Sequence, residues 1–233
     1  MKIALLGYGK MGKTIEDIAL QRGHEIVIKT SNEDGYDICL ADVAIDFSVP
    51  KAAFFNIANC LKHKIPVISG TTGWLDNYEK AVALCKEENG AFLYASNFSL
   101  GVNVFFELNK NLAKMMSLLK EYKVSIEEVH HTQKLDAPSG TAITLAEGIV
   151  TEHSEYSNWI LNETKEKAIP ITAKRIDAVP GTHSIDYTSI TDSIQIKHTA
   201  HNRQGFALGA VIAAEWILEK KGVYTMKDVL NIG

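Results

Sequence analysis

Lys2-Ile3-Ala4-Leu5-Leu6-Gly7-Tyr8-Gly9-Lys10-Met11-Gly12 is the stretch on which the fold turns. A short apolar run of strand size is followed by glycines at 7, 9 and 12, and a helix-like stretch then runs from Lys10 to Gln21. GxGxxG alone recurs by chance, but after a strand and at the start of a helix it has a physical use. The first glycine permits a tight turn, the second lets main chain approach a pyrophosphate, and the third lets helix and strand pack closely. The helix start offers unpaired N–H groups to the phosphates. Read as punctuation only, the same glycines make a turn and nothing more. Gly23 stands where a helix C-cap belongs.

Outward from there the pattern repeats. His24–Lys29, Val43–Phe47, Pro66–Ser69 and Ala91–Ala95 read as strands, and helices run from Pro50 to about Lys64 and from Leu75 to Glu88. Short strands that are apolar throughout, separated by helices, predict a parallel sheet covered on both faces. With the glycine motif at its head, this half is Rossmann-like. Beyond Ser99 the order changes. A long amphipathic helix over Gly101–Lys120 is followed by a strand at Tyr122–His131 and a helix at Gly140–His153. Strands at Ile169–Ile176, Ser184–Ile190 and Ile194–His201 then come without helices between them, which predicts a mixed, open sheet. Helices at Gly205–Lys220 and near Thr225–Leu230 end the sequence. The expected class is α/β: a Rossmann-like parallel-sheet domain over 1–99, completed by helices of 204–233, and an α+β domain over 100–203 for substrate binding and oligomerisation.

Composition narrows the function. The 233 residues are 46% hydrophobic and 22% charged, which suits a chain with a sizeable core and excludes a disordered or fibrous one. Twenty-four basic against 28 acidic residues, with no Lys/Arg run, predict neither a nucleic-acid nor a membrane partner. The N-terminal sequence is unlike a signal peptide, and no apolar stretch approaches a membrane span. Cys39, Cys60 and Cys85 are odd in number and form no CxxC pair, as expected of a reducing, cytoplasmic setting.

Ligands of open parallel sheets bind beyond the carboxyl ends of the strands. Gly70-Thr71-Thr72-Gly73 and Ala95-Ser96-Asn97-Phe98-Ser99 both follow predicted strands there, so they are expected to overlook the dinucleotide, although either also reads as a simple polar turn. The second strand ends in Lys29-Thr30-Ser31, with Glu33 and Asp34 only in the following loop. A carboxylate at a strand end favours the ribose hydroxyls of NAD, and a cation the 2′-phosphate of NADP. Lys29 therefore inclines the choice slightly to NADPH over NADH.

The densest chemistry lies in Glu128-Val129-His130-His131-Thr132-Gln133-Lys134-Leu135-Asp136-Ala137-Pro138-Ser139-Gly140-Thr141-Ala142. Two histidines and a lysine at a strand end bring groups able to exchange protons near neutrality within a few residues. Ser139 is placed to cap a helix, which leaves the N–H groups of Gly140 and Thr141 to face a carboxylate. His198 and His201 invite a metal reading, but i and i+3 point to opposite faces of a strand, and neither HExxH nor a Cys–His cluster is present, so no metal is expected. Arg203 offers a fixed cation to a substrate carboxylate or to an acidic surface residue.

These residues resemble the 4-hydroxy-tetrahydrodipicolinate reductase (dihydrodipicolinate reductase) family of bacterial lysine biosynthesis, over essentially the whole chain. The resemblance rests on GxGxxG, Gly70–Gly73, Ser96–Asn103, the specific His-His-x-x-Lys-x-Asp-x-Pro-Ser-Gly-Thr-Ala pattern, Gly181-Thr182-His183, His198–Arg203 and Phe206–Ala210. It implies proton donation by His130 and Lys134, and substrate contacts by His131, Gly140 and Thr141. It implies dinucleotide contacts at Gly7, Tyr8, Gly9, Lys10, Met11 and Gly12, at Gly70, Thr71 and Thr72, and at Ala95, Ser96, Asn97 and Phe98, and a homotetramer built through the C-terminal domain. The implied reaction is reduction of a small cyclic imine dicarboxylate by NAD(P)H, in the diaminopimelate route, with Lys134 poised by His130 and the two domains closing over both ligands. The alternatives are another Rossmann oxidoreductase, such as an amino-acid dehydrogenase, or a dinucleotide-sensing protein without chemistry.

Overall fold

The opening apolar run is a strand, and every residue from Ile3 to Leu6 is buried. In the computed structural model, described over residues 1–31, 35–202 and 204–232, β1 (Lys2–Leu6) leads through Gly7–Gly9 into α1 (Lys10–Gln21). Then follow β2 (Glu25–Thr30), β3 (Val43–Asp46), α2 (Pro50–Lys62), β4 (Val67–Ser69), α3 (Tyr78–Glu87) and β5 (Ala91–Tyr94). Beyond these come α4 (Leu100–Met116), β6 (Lys123–His130), α5 (Gly140–Glu152), β7 (Asn158–Leu161), β8 (Ala168–Arg175), β9 (Gly181–Thr188) and β10 (Ser193–Ala200). α6 (Gln204–Ile217), β11 (Gly222–Tyr224) and α7 (Met226–Leu230) follow.

The chain divides into two compact units, Met1–Leu100 with Gln204–Gly233, and Gly101–Arg203. The first holds a six-stranded sheet in the order β11-β5-β4-β3-β1-β2, parallel throughout. Its inner strands β5, β4, β3 and β1 are largely buried on both faces. On one side Ile15 and Ala19 of α1 and Ala207, Ala210, Val211, Ala214 and Ile217 of α6 pack against Ile3, Leu5 and Ile45. On the other, Ala53, Ile57 and Leu61 of α2 and Ala81 and Cys85 of α3 pack against Ala4, Leu6 and Phe92. The carboxyl ends of β1, β3, β4 and β5 therefore open together onto one edge, where the glycine-rich loops lie.

The second unit holds a five-stranded mixed sheet, β10-β9-β6-β8-β7. β6 runs antiparallel to β9 and parallel to β8. Period-two alternation puts Val124, Ile126, Glu128 and His130 of β6 on the buried face. There the apolar members join Phe105, Leu112 and Met116 of α4 and Leu145 and Ile149 of α5 in one core. The other face is polar, with Glu127 beside Thr172 and Ser184 and an ion pair from Lys174 to Glu127 at 2.6 Å.

β7 and β11 have no counterpart in the sequence reading. Four and three residues are too short to show an alternation, and Gly222 begins β11 at φ +124°. α4 stops at Met116 rather than Lys120, because the Ser117 hydroxyl donates to the Lys114 carbonyl and the Leu119 N–H turns onto Met116. No helix among the described residues is long and apolar enough to cross a membrane.

Candidate active site

The first unit builds its candidate ligand edge from close backbone approaches. Gly7 has φ +106° and donates its N–H to the Thr30 carbonyl at 2.8 Å. A Cβ there would fall 2.1 Å from the Phe47 carbonyl oxygen, and one on Gly12 would fall 2.3 Å from that of Gly7. Only glycine fits either position. Gly9 differs: it precedes α1 without a side-chain cap, and a Cβ on it would meet nothing within 4 Å. An uncapped helix start facing open space, reached by a residue with no side chain, suits a pyrophosphate. Lys10 is exposed and Met11 half-buried beside it.

Lys29, at the end of β2, does not stand alone. Its ammonium pairs with Glu16 of α1 and lies 5.3 Å from the centre of the Tyr8 ring, while the Tyr8 hydroxyl donates to the same carboxylate. Hydrogen bonds from Lys29 and then Tyr8 hold the Glu16 carboxyl below its usual range, and the bond to Glu16 raises Lys29 above its own. Glu33 lies outside the described residues.

Beyond β3 and β4 the organising group is Asp46, fully buried. Its Oδ1 accepts from the Ser48 hydroxyl at 2.7 Å and from Asn56 Nδ2 at 2.9 Å, and its Oδ2 from the Ser69 and Thr71 hydroxyls at 2.8 Å each. Thr71 Oγ1 in turn accepts the Ser48 N–H at 2.9 Å. Burial pushes the Asp46 carboxyl up, and those four hydrogen bonds oppose the shift. Thr71 is thus 5% exposed with its hydroxyl committed inside the protein, whereas Thr72 is exposed. Gly70 packs flat against the Phe47 ring, where a Cβ would come within 2.3 Å. After β5, Ala95 is half-buried, Ser96 exposed, and the Asn97 side chain accepts from the Ser99 N–H at 2.9 Å. Phe98 is a core residue, 1% exposed, its ring 5.6 Å from that of Phe47. Any contact it makes with a ligand runs through its main chain.

The second unit gathers the titratable residues where β6, β8 and β9 meet the start of α5. Glu128 and His130 share the buried face of β6, and His183 of β9 brings its ring centre within 5.0 Å of the His130 ring. Glu128 Oε2 lies 3.0 Å from His130 Nδ1, a bent approach, and accepts the Ser139 N–H at 3.2 Å. Glu128 Oε1 accepts both guanidinium nitrogens of Arg175, at 3.2 and 3.1 Å. Burial alone would raise this carboxyl, but hydrogen bonds from His130 and Ser139, the His130 charge and the Arg175 bond bring it down to about 2. His183 is pushed down to about 3, chiefly by burial and next by the His130 charge. Its Nε2 lies 3.0 Å from the Ser139 hydroxyl, which caps α5 by accepting the Ala142 N–H at 3.2 Å.

With the cap committed to Ala142, the N–H groups of Gly140 and Thr141 have no acceptor among the described residues, and a Cβ on Gly140 would meet open space. Lys134 Nζ is bound by both oxygens of Asp136 at 2.8 Å. Its recorded partner is thus Asp136, where the sequence reading had His130 poise it. The Lys134 bond holds the Asp136 carboxyl below its usual range. His131 begins the turn that Lys134 closes, with its Nδ1 buried and without a partner among the described residues. Arg203 lies outside the described residues.

Glu128, His130 and His183 also place three possible metal-ligand atoms within 4.8 Å of one another, a grouping that the His198/His201 reading did not anticipate. The Arg175 guanidinium already occupies that carboxylate, and a second cation would compete with it. His198 packs instead against Phe105, with ring centres 5.9 Å apart.

Asp46, Glu16, Glu128, Arg175 and His183 were not assigned roles from the sequence. A signal existed for Glu128, which stands two residues before His130 and so on its face of a strand. None existed for Arg175, whose place depends on a parallel pairing of β6 with β8.

Residues 1–98 match the family model "Dihydrodipicolinate reductase, N-terminus" and residues 101–230 the model "Dihydrodipicolinate reductase, C-terminus". Over 99% of this chain and 98% of the relative, the chain is 61% identical to 4-hydroxy-tetrahydrodipicolinate reductase of Christiangramia forsetii. With the enzyme of that name from Thermosipho africanus the identity is 32% over the same shares. The fold is similar to that of a dipicolinate-bound dihydrodipicolinate reductase from Paenisporosarcina sp. TG-14, with a TM-score of 0.78 at 22% identity over 97% of each chain. An amine dehydrogenase from Mycobacterium smegmatis, at 9% identity and TM-score 0.53 over 96% of this chain and 94% of its own, shares the general fold.

Proposed function

The chain belongs to the dihydrodipicolinate reductase family, and from that premise we propose how its residues perform the reaction. The protein is an oxidoreductase of the diaminopimelate route to lysine that reduces 4-hydroxy-tetrahydrodipicolinate with NAD(P)H. The dinucleotide, when bound, supplies a hydride to the conjugated ring. The first unit binds it: the open helix start at Gly9–Met11 takes the pyrophosphate, and the loops at 70–72 and 95–98, braced by Asp46 and Phe47, border the nicotinamide end.

The second unit binds substrate and supplies the proton. A carboxylate of the substrate accepts from the Gly140 and Thr141 N–H groups, with His131 beside it. As negative charge reaches the ring nitrogen, the Lys134 ammonium, held by Asp136, gives a proton there and is left as a neutral amine. His130, held against Glu128, is the second proton donor of the site. Arg203 is a further candidate for a substrate carboxylate. The observation that carries this reading is the convergence of an ammonium, an imidazole and a helix start with two unspent N–H groups in one unit, in a chain of this family.

Lys134→Ala should lower kcat about 10²–10⁴-fold while leaving the Kd for NADPH unchanged. Unchanged turnover would remove Lys134 from the proton path. Assay against simple amino and keto acids, which an amino-acid dehydrogenase would accept, separates that alternative. We assign the cofactor preference to NADPH by a small margin, because Lys29 can exchange Glu16 for a 2′-phosphate. We further assign the protein to the cytoplasm and to a homotetramer assembled through the second unit, whose sheet has one face not covered by its own helices. Light scattering on the purified protein tests the assembly.

A further inference from the structure

Arg175 spends its donors in an unusual way for a residue at a strand end. Besides the two bonds to Glu128, Nη2 donates to the Asp136 carbonyl at 2.6 Å and Nε to the Lys134 carbonyl at 3.3 Å. It is already registered opposite His130 by the β6–β8 ladder, and the Ile176 N–H donates to the His130 carbonyl at 2.8 Å. The strands therefore do not need the guanidinium to stay together. What it adds is a hold on the main chain of the loop that carries Lys134. Glu128 is the complementary hub: fully buried, it reaches the His130 ring, the first turn of α5 through Ser139, and Arg175. On the far edge of the imidazole lies Gly181, where a Cβ would come within 3.1 Å of His130 Nε2. The missing side chain leaves Nε2 uncovered while Glu128 engages Nδ1.

We infer that Glu128 and Arg175 are positioning residues of the reductase: Glu128 sets the ring and proton of His130, and Arg175 sets the backbone that aims Lys134. This rests on the assignment of His130 and Lys134 as proton donors. The charged and titratable groups around His130 are Glu128 on its own strand, His183 from β9, Arg175 from β8 acting through Glu128, and Lys134 with Asp136 from the loop, all close enough to act on one another. Among them Glu128 is the anion nearest the ring, with Oε2 3.0 Å from Nδ1, so it is the group that orients the imidazole.

The experiment measures kcat and KM for the wild type, Glu128→Gln and Arg175→Lys, with NADPH binding as the check on folding. The His130 ring signals are recorded by NMR in the same proteins. Glu128→Gln should lower kcat about 10–100-fold with an unchanged NADPH Kd. It should shift the His130 ring signals, because the carboxylate that holds the ring is gone. Arg175→Lys keeps the charge but not the fork, so it should lower kcat and leave those signals in place. If Glu128→Gln does not fold, Glu128→Asp replaces it and should lose kcat through its shorter reach. Folded variants with wild-type kcat and unmoved His130 ring signals would overturn the inference. A wild type that does not turn over 4-hydroxy-tetrahydrodipicolinate would instead overturn the assigned reaction, and the His130 ring signals would still decide whether Glu128 sets the ring.

Discussion

Lys29 is 42% exposed in its side chain, with Glu16 as its counter-ion and the Tyr8 ring beneath it. A 2′-phosphate arriving there must displace or share Glu16, so the cation favours NADPH only by the difference between two anions. Lys29→Glu should raise the KM for NADPH more than that for NADH. Glu16→Gln, which releases the ammonium, should do the opposite and lower the NADPH KM several-fold; steady-state kinetics with both cofactors reads both, and equal effects would show that Lys29 never meets the phosphate. At Gly181 the constraint is steric. Gly181→Ala should push the His130 ring by a few tenths of an ångström and cut kcat about 3- to 10-fold with little change in Tm. Much of this chemistry was legible at the level of single residues, since His130, Lys134, Gly140 and Thr141 stand within one short stretch. Glu16 was not, because nothing in a helix sequence says which of its carboxylates a strand end will face. Arg175 and His183 lie some fifty residues from His130 and become its neighbours only through β8 and β9.

Secondary-structure elements read more easily than their contacts. Glycines and prolines marked the limits of β1, α1 and α2, and the run of strands without helices between them marked the change of sheet type. What the pattern could not show is how α6 seats. A Cβ on Gly209 would fall 1.8 Å from the Phe98 carbonyl oxygen, so this helix packs its backbone directly onto the segment after β5. Gly209→Ala must separate the two, and should cost about 1–3 kcal/mol of stability. It should also raise the KM for NADPH, since the loop at 95–98 moves with the displaced helix; thermal melts and cofactor kinetics test the two effects separately. The loops after β3 and β4 depend in the same way on Asp46. Asp46→Asn replaces two acceptor oxygens with one and a donor, against four hydrogen-bond donors, and should weaken NADPH binding with no change in the kcat reached at saturation.

Across the whole molecule, the response to acid follows from two groups in the second unit. His183 is neutral when folded, with its pKa near 3, and has an ordinary value of 6.5 when unfolded. Its contribution is therefore complete above pH 6.5 and is lost as pH falls from 6.5 toward 3, about 2 kcal/mol of it by pH 5. Glu128, down at about 2 against an ordinary value of 4.5, adds a second loss as pH falls from 4.5 toward 2. Urea midpoints at pH 7.5 and pH 5 should differ accordingly, and His183→Gln should flatten the difference; an unaltered slope would show that His183 is protonated in the folded state. The first unit is drawn from both halves of the sequence: Ala207, Ala210, Val211 and Ala214 of α6 are fully buried against strands made some two hundred residues earlier, and Glu215 pairs with Arg22 and His24. The second unit uses one uninterrupted stretch. During synthesis, then, the ribosome makes every residue of the later-starting unit before it makes the helix that completes the earlier one. The nascent first hundred residues must wait with one side of their sheet covered by α1 alone, and this interval is when a holdase chaperone would find its hold on the chain.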